Sequence, residues 1–339
     1  MSAAVSAAPI PAAIVGLGRW GRGHVQAMAE AGDARPLRFV RAIDPVLDAH
    51  RDFCARQGMA LSARLEDALD DPAIEAVVLA TPHSLHRPQV EASARAGKAV
   101  FCEKPLALTL EDARAMVGAC NAAGVVLGVG HLRRFWPSMQ ALRRVVDSGE
   151  LGEILHVEGH FSNEHSNNVS GGWRESPAES PGAGLTGAGL HLVDAFTFLV
   201  GPAREVVAQV VERKPPPAPL DTVSALYRLD AGGGHAVSGM LASVRASPLY
   251  WRVHVFGSRG SVEALGEHEV VRHASGVAPV RSTEPPYPAM RYQIEAFARA
   301  VRGEARFPIP QSDYLATVAS FEATVRAIDL RRPVPVPMP

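Results

Sequence analysis

The stretch AIVGLGRWGRGHV, residues 13–25, decides the fold of this 339-residue chain. An apolar run leads into Gly16-x-Gly18-x-x-Gly21, and a helix-like segment follows the last glycine. Glycines are needed in such a turn because a side chain would block both the tight bend and a dinucleotide pyrophosphate, which binds free backbone amides at the helix N-terminus. The turn therefore predicts a cofactor-binding site formed by Gly16, Gly18, Arg19, Trp20 and Gly21.

Strand-like and helix-like segments alternate through the first 130 residues. The strand-like runs are continuous and rich in Val, Ile and Leu, as parallel strands covered on both faces require. They span residues 12–16, 37–44, 74–81, 98–104 and 125–130. The alternation predicts a doubly wound α/β domain with a parallel sheet over residues 1–130.

The pattern changes in the second half of the chain. From about residue 150, segments with period-two alternation follow one another across short turns, which is typical of antiparallel strands. Helical segments are predicted at residues 189–201, 290–302 and 312–330. Residues 131–339 are therefore predicted to form an α+β substrate-binding domain with a large, mostly antiparallel open sheet.

Composition excludes several classes of protein. The 34 basic and 35 acidic residues give a net charge of −1, so no overall field attracts nucleic acid or an anionic membrane. The sequence has no run of 18 apolar residues, which argues against a membrane-spanning helix. Three cysteines without CxxC spacing argue against a disulfide scaffold or a zinc site and favour a cytoplasmic location.

An acidic residue closes the second strand-like run. Asp44 lies 28 residues beyond Gly16, and a carboxylate there accepts the ribose hydroxyls of NAD and repels the 2′-phosphate of NADP. NAD is therefore the predicted cofactor, with NADP less favoured. An aspartate directly before Pro45 is also typical of a helix cap, and this alternative stays open.

Lysine is rare in this chain, which has only Lys98, Lys104 and Lys214 among its 34 basic residues. Lys104 follows Glu103 at the predicted carboxyl end of a parallel strand, the edge at which ligands bind in this architecture. An ammonium group there can stabilise a developing alkoxide. We predict a catalytic and cofactor-binding role for Lys104 and a cofactor contact for Glu103, with a solvated loop lysine as the alternative for Lys104.

The motif TPHSLH, residues 81–86, ends the neighbouring strand. Thr81, Pro82 and His86 are therefore predicted to lie near the nicotinamide. His83 and His86 also resemble a metal pair. Because no matching carboxylate or cysteine cluster accompanies these two histidines, no metal is predicted.

The glycine-rich stretch GAGLTGAGLHLVDAF, residues 182–196, leads into a helix with His191 and Asp194. A secondary alcohol that loses hydride must also lose a proton, and a histidine that titrates near neutral pH suits that transfer. His191 is therefore the predicted catalytic acid/base. The alternative is a buried structural histidine.

The polar stretch 161–182 precedes this helix and is predicted to line the substrate pocket, with a solvated loop as the alternative. Arg174 suits a carboxylate or phosphate, and Trp173 suits stacking on a sugar ring. The full set of predicted substrate residues is Arg133, Asn163, His165, Trp173, Arg174 and Asp194.

Together these motifs resemble the glucose–fructose oxidoreductase, inositol dehydrogenase and MocA (Gfo/Idh/MocA) family. They are GLGRWG, Asp44, ATPHSLH, EKPLAL, RRFWPS, GELGEI and GLHLVD, between about residues 10 and 330. The resemblance implies a Rossmann domain, an α+β domain whose open sheet forms a homodimer or homotetramer interface, and NAD(P)-dependent hydride transfer at a carbinol of a sugar or cyclitol. It also implies that Lys104 is the lysine of the family's EKP motif and that His191 is its catalytic histidine.

The chain departs from the family pattern at two positions. Many members have an aspartate four residues before the catalytic histidine, where this chain has Gly187. Thr186 is a polar substitute that is no base at neutral pH, and Glu164 or His165 are further candidates. His83 replaces a usual asparagine. Two alternatives to an NAD-dependent dehydrogenase stay open, namely an NADP-preferring reductase and, because of Gly187, a non-catalytic NAD-binding sensor or scaffold.

Overall fold

The structure, a computed structural model, describes residues 8–163, 172–214, 220–245 and 247–338. The chain divides into two units. The first comprises residues 1–107, 111–130 and 288–311, and the second comprises residues 108–110, 131–287 and 312–339. The predicted boundary after residue 130 coincides with the main junction, but the chain returns to the first unit at residues 288–311.

The first unit is built on a parallel sheet. Its strands are β1 (Ile10–Val15), β2 (Leu37–Ile43), β3 (Ala60–Ser62), β4 (Ala76–Leu79), β5 (Ala99–Glu103) and β6 (Leu127–Gly130). They are arranged in the order β3-β2-β1-β4-β5-β6, the order of the doubly wound dinucleotide-binding fold. Strands β4 and β5 are buried along their whole length, as continuous apolar runs require. The prediction of a Rossmann sheet is confirmed.

The helices follow in chain order. They are α1 (Arg19–Glu30), α2 (Arg51–Gln57), α3 (Glu66–Leu69), α4 (His86–Arg95), α5 (Leu110–Ala123), α6 (Pro137–Ser148), α7 (Leu190–Leu199), α8 (Ala289–Val301) and α9 (Gln311–Leu330). The first unit contains α1 to α4, most of α5, and α8.

Helix α8 completes the core of the first unit. Its Ile294, Phe297 and Ala298 are buried in the same apolar cluster as the strands of the parallel sheet. The Phe297 ring packs edge-on against Phe101 of β5, with centroids 5.6 Å apart. Residues 288–311 therefore belong to the first core, although the sequence groups them with the second half.

The second unit is built on a larger sheet. Its strands are β7 (Ile154–Asn163), β8 (Ala203–Lys214), β9 (Leu220–Asp230), β10 (Ala236–Arg245), β11 (Tyr250–Gly257), β12 (Gly260–Leu265), β13 (Glu269–His273), β14 (Val280–Thr283) and β15 (Val334–Pro335). Their order is β14-β13-β12-β11-β7-β10-β9-β8-β15. Strands β7 and β10 pair in parallel, and the other neighbours are antiparallel. The predicted mostly antiparallel sheet is confirmed.

The two faces of this sheet differ. One face shares an apolar core with residues of α6, α7 and α9. On the other face, Val207, Leu226 and Met240 lie opposite one another on β8, β9 and β10. Their exposed fractions are 41%, 57% and 42%, so this row of apolar side chains, named here the outer apolar row, faces away from the core.

Three further observations bear on the predictions from composition. Among the described residues, no helix has both the length and the apolar character needed to cross a membrane. Cys54, Cys102 and Cys120 are free thiols in buried positions. The described part of the chain contains no group of three or more His, Cys, Asp or Glu side chains able to hold a metal ion.

Candidate cofactor and substrate sites

The glycine turn between β1 and α1 contains two glycines that the fold requires and one that it does not. Gly16 has a φ of +87°, and a Cβ there would lie 2.6 Å from the Ala80 carbonyl oxygen. A Cβ on Gly21 would lie 1.9 Å from the Gly16 carbonyl oxygen. A Cβ on Gly18, by contrast, would meet no described atom within 4 Å. The space beside Gly18 is therefore open to a ligand.

Helix α1 begins directly after Gly18. Within the described residues no side chain caps its N-terminus, and its first turn contains no acidic residue. The predicted neighbours Arg19 and Trp20 open the helix, with the Arg19 guanidinium carbon 5.9 Å from the Trp20 ring centroid. Helix N-termini combine orphan N–H groups with partial positive charge and so bind phosphate. The helix end and the space at Gly18 together fit the pyrophosphate of a dinucleotide.

Asp44 follows β2 and contacts the glycine turn. Its Oδ2 accepts the Leu17 N–H at 2.9 Å, and its Oδ1 accepts the Val46 N–H at 2.9 Å. The Val46 contact closes a local turn and is not the helix cap left open as an alternative, because α2 begins only at Arg51. The Leu17 contact fixes Asp44 beside the glycine turn. Because each carboxylate oxygen accepts more than one hydrogen bond, Asp44 retains capacity for ribose hydroxyls.

Two residues beside Asp44 were missed from the sequence. Arg22 donates to the Leu17 and Ala49 carbonyl oxygens, both at 3.2 Å, and to His50 Nδ1 at 2.9 Å. Since arginine only donates, the His50 proton is assigned to Nε2, which lies 3.3 Å from Asp44 Oδ1. The sequence shows only that Arg22 follows the last glycine of the motif. This position does not reveal where the Arg22 side chain points.

The end of β4 holds the residues predicted near the nicotinamide. Thr81 and Pro82 are half-buried, and Thr81 Oγ1 donates to Gln89 Oε1 at 2.6 Å. His86 is buried, with Nδ1 2.9 Å from the Pro105 carbonyl oxygen and Nε2 3.2 Å from that of Thr81. Burial lowers the pKa of His86 and favours the neutral imidazole. His86 thus joins the ends of β4 and β5, and its contact with the cofactor stays a prediction.

Glu103 forms a buried pair with a histidine that the sequence analysis did not identify. Its Oε1 lies 2.7 Å from Nε2 of the fully buried His24 on α1. Its Oε2 accepts the backbone N–H of Lys104 at 3.2 Å. The carboxylate also lies over β6, where a Cβ on Gly130 would be 2.9 Å from it. These contacts hold the Glu103 side chain beside Lys104, which is half-buried, and the cofactor contact of Glu103 stays a prediction.

His191 is the second residue of α7 in the second unit and is 8% exposed. Its ring lies edge-on to Phe161, with centroids 6.1 Å apart. In the wide turn Leu185–Gly189 before α7, the buried Thr186 donates its hydroxyl hydrogen to the Pro181 carbonyl oxygen. Thr186 is therefore no substitute for the family aspartate. A Cβ on Gly187 would meet no atom of the described residues within 4 Å.

Asp194 lies in a buried ion pair of the second unit. Its carboxylate accepts from Arg134 at 2.8 Å and 3.0 Å and from Thr317 at 3.3 Å. Burial alone would raise the pKa of Asp194, but the adjacent Arg134 outweighs burial and the net pKa is lowered. Arg134 also donates to Asp313 at 2.6 Å. Asp194 is only 2% exposed and anchors α7 in this ion pair, and its contact with substrate stays a prediction.

Arg133 lies in a cage of three aromatic rings. Its guanidinium carbon is 4.1 Å from the Trp136 centroid, 4.2 Å from that of Phe161 and 4.3 Å from that of Trp251. The Phe161 ring is the one that also lies edge-on to His191. The predicted substrate residue Arg133 and the predicted acid/base His191 therefore both lie against the Phe161 ring.

The remaining predicted substrate residues lie at the ends of the stretch 161–182. Asn163 is the last residue of β7 and is half-buried. In the turn Gly172–Glu175, the Arg174 guanidinium carbon lies 4.1 Å from the Trp173 ring centroid. Glu164 and His165 lie outside the described residues.

Known proteins resemble the chain along nearly its whole length. It is 29% identical to inositol 2-dehydrogenase of Rhizobium meliloti (strain 1021), over 95% of this chain and 98% of that protein. It is 30% identical to 1,5-anhydro-D-fructose reductase of Ensifer adhaerens, over 78% of this chain and 80% of that protein. A solved structure of levoglucosan dehydrogenase in complex with NADH and L-sorbose has a TM-score of 0.86 at 23% identity, and covers 98% of this chain and 100% of its own.

Two family models match successive parts of the chain. The oxidoreductase family with an NAD-binding Rossmann fold matches residues 10–131, which include the glycine turn, Asp44 and Lys104. The GFO/IDH/MocA C-terminal domain matches residues 139–263, which include His191. The two matches cover most of the chain and agree with the fold of both units. This protein therefore belongs to the GFO/IDH/MocA family of oxidoreductases.

Proposed function

We propose that this oxidoreductase transfers a hydride between NAD and a secondary alcohol or ketone of a sugar, a cyclitol or a related cyclic hydroxy compound. The observation that carries the proposal is the open space at Gly18, which adjoins the uncapped start of α1. The names of the relatives, which mention inositol and 1,5-anhydro-D-fructose, support a substrate of this class.

Residues of the first unit bind the cofactor in this proposal. The amides at the start of α1 bind the pyrophosphate, and Asp44 accepts hydrogen bonds from the adenosine ribose. When bound, the nicotinamide supplies or accepts the hydride. Lys104 donates a hydrogen bond from Nζ to the reacting oxygen and stabilises negative charge on it.

His191 accepts the hydroxyl proton when the alcohol is oxidised and returns it when the ketone is reduced. A positioned imidazole typically contributes about 10²–10⁴-fold to such a step. The low exposure of His191 and its contact with Phe161 support this role, because a shielded imidazole exchanges its proton with substrate rather than with bulk water.

The surroundings of Asp44 support NAD over NADP. The Arg22 guanidinium is already engaged by the Leu17 and Ala49 carbonyl oxygens and by His50. These hydrogen bonds hold Arg22 beside Asp44, whose carboxylate repels a 2′-phosphate and so favours NAD. Calorimetric titration of the protein with NAD⁺, NADH, NADP⁺ and NADPH tests this preference. Tighter binding of NADPH than of NADH would favour the NADP-preferring reductase.

Turnover is tested by following absorbance of reduced nicotinamide with a panel of sugars and cyclitols. We expect NADH formation with at least one member of the panel. Tight NAD(H) binding without turnover in either direction would contradict the dehydrogenase and favour a binding protein.

A non-catalytic NAD-binding sensor or scaffold is the second candidate. It is favoured by Gly187 at the family's aspartate position and by the Thr186 hydroxyl, which is committed to Pro181. Gly187→Asp separates the two candidates, since the described residues leave room for a side chain at this position. An enzyme that needs this carboxylate would gain turnover in the variant, whereas a sensor would bind NAD with no turnover before or after the change.

We also propose that a second copy of the chain covers the outer apolar row, giving a homodimer or homotetramer. The row places Val207, Leu226 and Met240 side by side on three strands with large exposed fractions, which is typical of an association surface. Light scattering of the wild type and of Leu226→Glu tests the proposal. A monomeric wild type would contradict it, and dissociation of the variant alone would support it.

A further inference from the structure

Arg133 and Arg134 are adjacent in sequence, but only one of them has a carboxylate partner. Arg134 is paired with Asp194 and Asp313. Arg133 forms no ion pair with any residue that the structure describes, and its Nε and Nη1 are shielded from solvent without a hydrogen-bond partner. The indole N–H of Trp251 is likewise shielded and unpartnered within the described ranges. The cage around Arg133 therefore holds a cation that the described chain does not neutralise.

The aromatic cage fixes the guanidinium but provides no anion. Faces of Trp136, Phe161 and Trp251 at 4.1–4.3 Å attract a cation without supplying an acceptor. Burial lowers the pKa of Arg133 to about 9, and Glu267 offsets this effect only in part. A buried charge without a partner is costly, so a ligand that supplies the anion would stabilise the site.

The position of the cage connects it with the proposed chemistry. Phe161 contacts the Arg133 guanidinium and lies edge-on to the His191 ring. One aromatic ring therefore bridges the unpaired cation and the proposed acid/base. A substrate that reaches both groups must have a negative group only a few bonds from its reacting carbinol.

We propose that Arg133 binds the carboxylate of an acidic substrate, a hexuronic or similar cyclic hydroxy acid, whose carbinol faces His191. The inference rests on the proposed function, because it takes His191 as the acid/base. A carboxylate is planar and accepts two parallel hydrogen bonds from the edge of a guanidinium.

The test uses the full-length protein saturated with NADH, so that a bound alcohol does not react. Methyl glycosides of hexuronic acids in the gluco, galacto and manno configurations are titrated calorimetrically, each beside its neutral amide and the 6-phosphate of the parent hexoside. In at least one configuration we expect the acid to bind at least ~10-fold more tightly than the amide, as one charge-assisted hydrogen bond predicts. Absence of an acid preference in all three configurations, or a preference for phosphate, would overturn the proposal.

Arg133→Met removes the charge and keeps an apolar side chain in the cage. We expect this variant to lose the ~10-fold acid preference, because acid binding weakens more than amide binding, while NADH affinity stays that of the wild type. Arg326→Met, at an exposed position of α9, is the matched control and should change neither affinity. If Arg133→Met folds poorly, Arg133→Lys retains the charge without the planar fork, and an intermediate preference is expected. Equal weakening of acid and amide binding would give Arg133 a structural role only and overturn the proposal.

The two proposals fail in different ways. If no alcohol reduces NAD⁺ but an acid binds the NADH complex through Arg133, the dehydrogenase fails and the carboxylate site stands. If acids and amides reduce NAD⁺ equally well in the wild type and in Arg133→Met, the carboxylate site fails and the dehydrogenase stands.

Discussion

The glycine turn before α1 and the wide turn before α7 are both rich in glycine, and both contain glycines that packing requires. In the first turn, a Cβ on Gly21 would lie 1.9 Å from a backbone oxygen. In the second, a Cβ on Gly184 would lie 2.7 Å from Asp221 Oδ1, and one on Gly189 would lie 2.9 Å from Leu185 Cδ1. At these positions glycine serves the fold.

Each turn also has one glycine with room around it, Gly18 in the first turn and Gly187 in the second. Neither glycine has a positive φ, so neither described packing nor backbone conformation requires glycine at these two positions. In the proposed function, the room at Gly18 admits a ligand to backbone amides, whereas Gly187 occupies the position at which many family members have a carboxylate. These two glycines therefore differ from Gly21 and Gly184, which the fold requires.

The largest effect is expected for Gly21→Ala. The new Cβ would meet the Gly16 carbonyl oxygen at 1.9 Å, and both atoms belong to rigid backbone. We expect a loss of at least about 3 kcal/mol in the free energy of unfolding and no measurable NADH binding. Thermal unfolding and calorimetry measure both. Gly23→Ala is the control, because its Cβ meets only the flexible end of Met290; equal behaviour of the two variants would contradict the packing argument.

Asp194→Asn should lower the free energy of unfolding by about 3–5 kcal/mol, since it leaves Arg134 buried with a broken pair. The folded-state pKa of Asp194 is lowered, so its stabilising contribution is present above the unfolded value of about 4 and is lost as pH falls through the folded value. The free energy of unfolding, measured with urea between pH 7 and pH 3, should therefore fall less steeply toward acid pH in the variant than in the wild type. Asp147→Asn, which removes an exposed pair with Arg143, is the control, and an equal loss in both would contradict the prediction.

His191→Ala tests the side-chain site directly. We expect turnover to fall at least ~10²-fold while NAD(H) affinity stays within twofold of the wild type, because the proposed cofactor contacts are made by the glycine turn and Asp44 rather than by His191. Steady-state kinetics and calorimetry separate the two effects. Unchanged turnover would remove His191 from the mechanism.

Gly18→Ala is expected to act on the ligand alone. A Cβ meets no described atom there, and the backbone angles of −67° and −168° suit alanine. We expect the free energy of unfolding to change by less than about 0.5 kcal/mol and NADH affinity to fall about tenfold. Strong destabilisation, or unchanged affinity, would show that Gly18 serves the fold as Gly21 does.

The smallest effect is expected for Gly187→Ala. The described residues leave space for its Cβ, and alanine restricts the unfolded chain, so stability should equal the wild type or rise by up to about 1 kcal/mol. Gly189→Ala, two residues on, should lose about 1–3 kcal/mol by contact with Leu185. Denaturant unfolding of the two variants checks the pair. A strong loss from Gly187→Ala would remove the distinction between the two kinds of glycine.

The sequence predicted what depends on local pattern. Continuous apolar runs predicted the parallel sheet, and the spacing of Gly16, Gly18 and Gly21 predicted the turn. It did not predict where side chains at strand ends point. Glu103 ends β5 and was expected at the cofactor, but its carboxylate turns to His24, 79 residues away in the chain.

The same limit applies to buried ion pairs. Asp194 and Arg134 are 60 residues apart, and nothing in either local sequence indicates that their charges meet in the core. A polar residue next to a candidate catalytic residue therefore looks like part of the substrate pocket until the packing is known. Arg133 differs from its neighbour Arg134, because it has no such partner among the described residues. Its surroundings are therefore compatible with the predicted role as a substrate residue.

The return of α8 to the first unit has a consequence for synthesis on the ribosome. The strands of the first sheet are complete by Gly130, but Ile294, Phe297 and Ala298 join that core only after β7 to β14 of the larger sheet have been made. Until α8 has been synthesised, Phe297 does not pack on Phe101, and the apolar surface around Phe101 stays exposed in the nascent first unit. A fragment ending at residue 130 would keep the whole dinucleotide motif and still lack part of its own core.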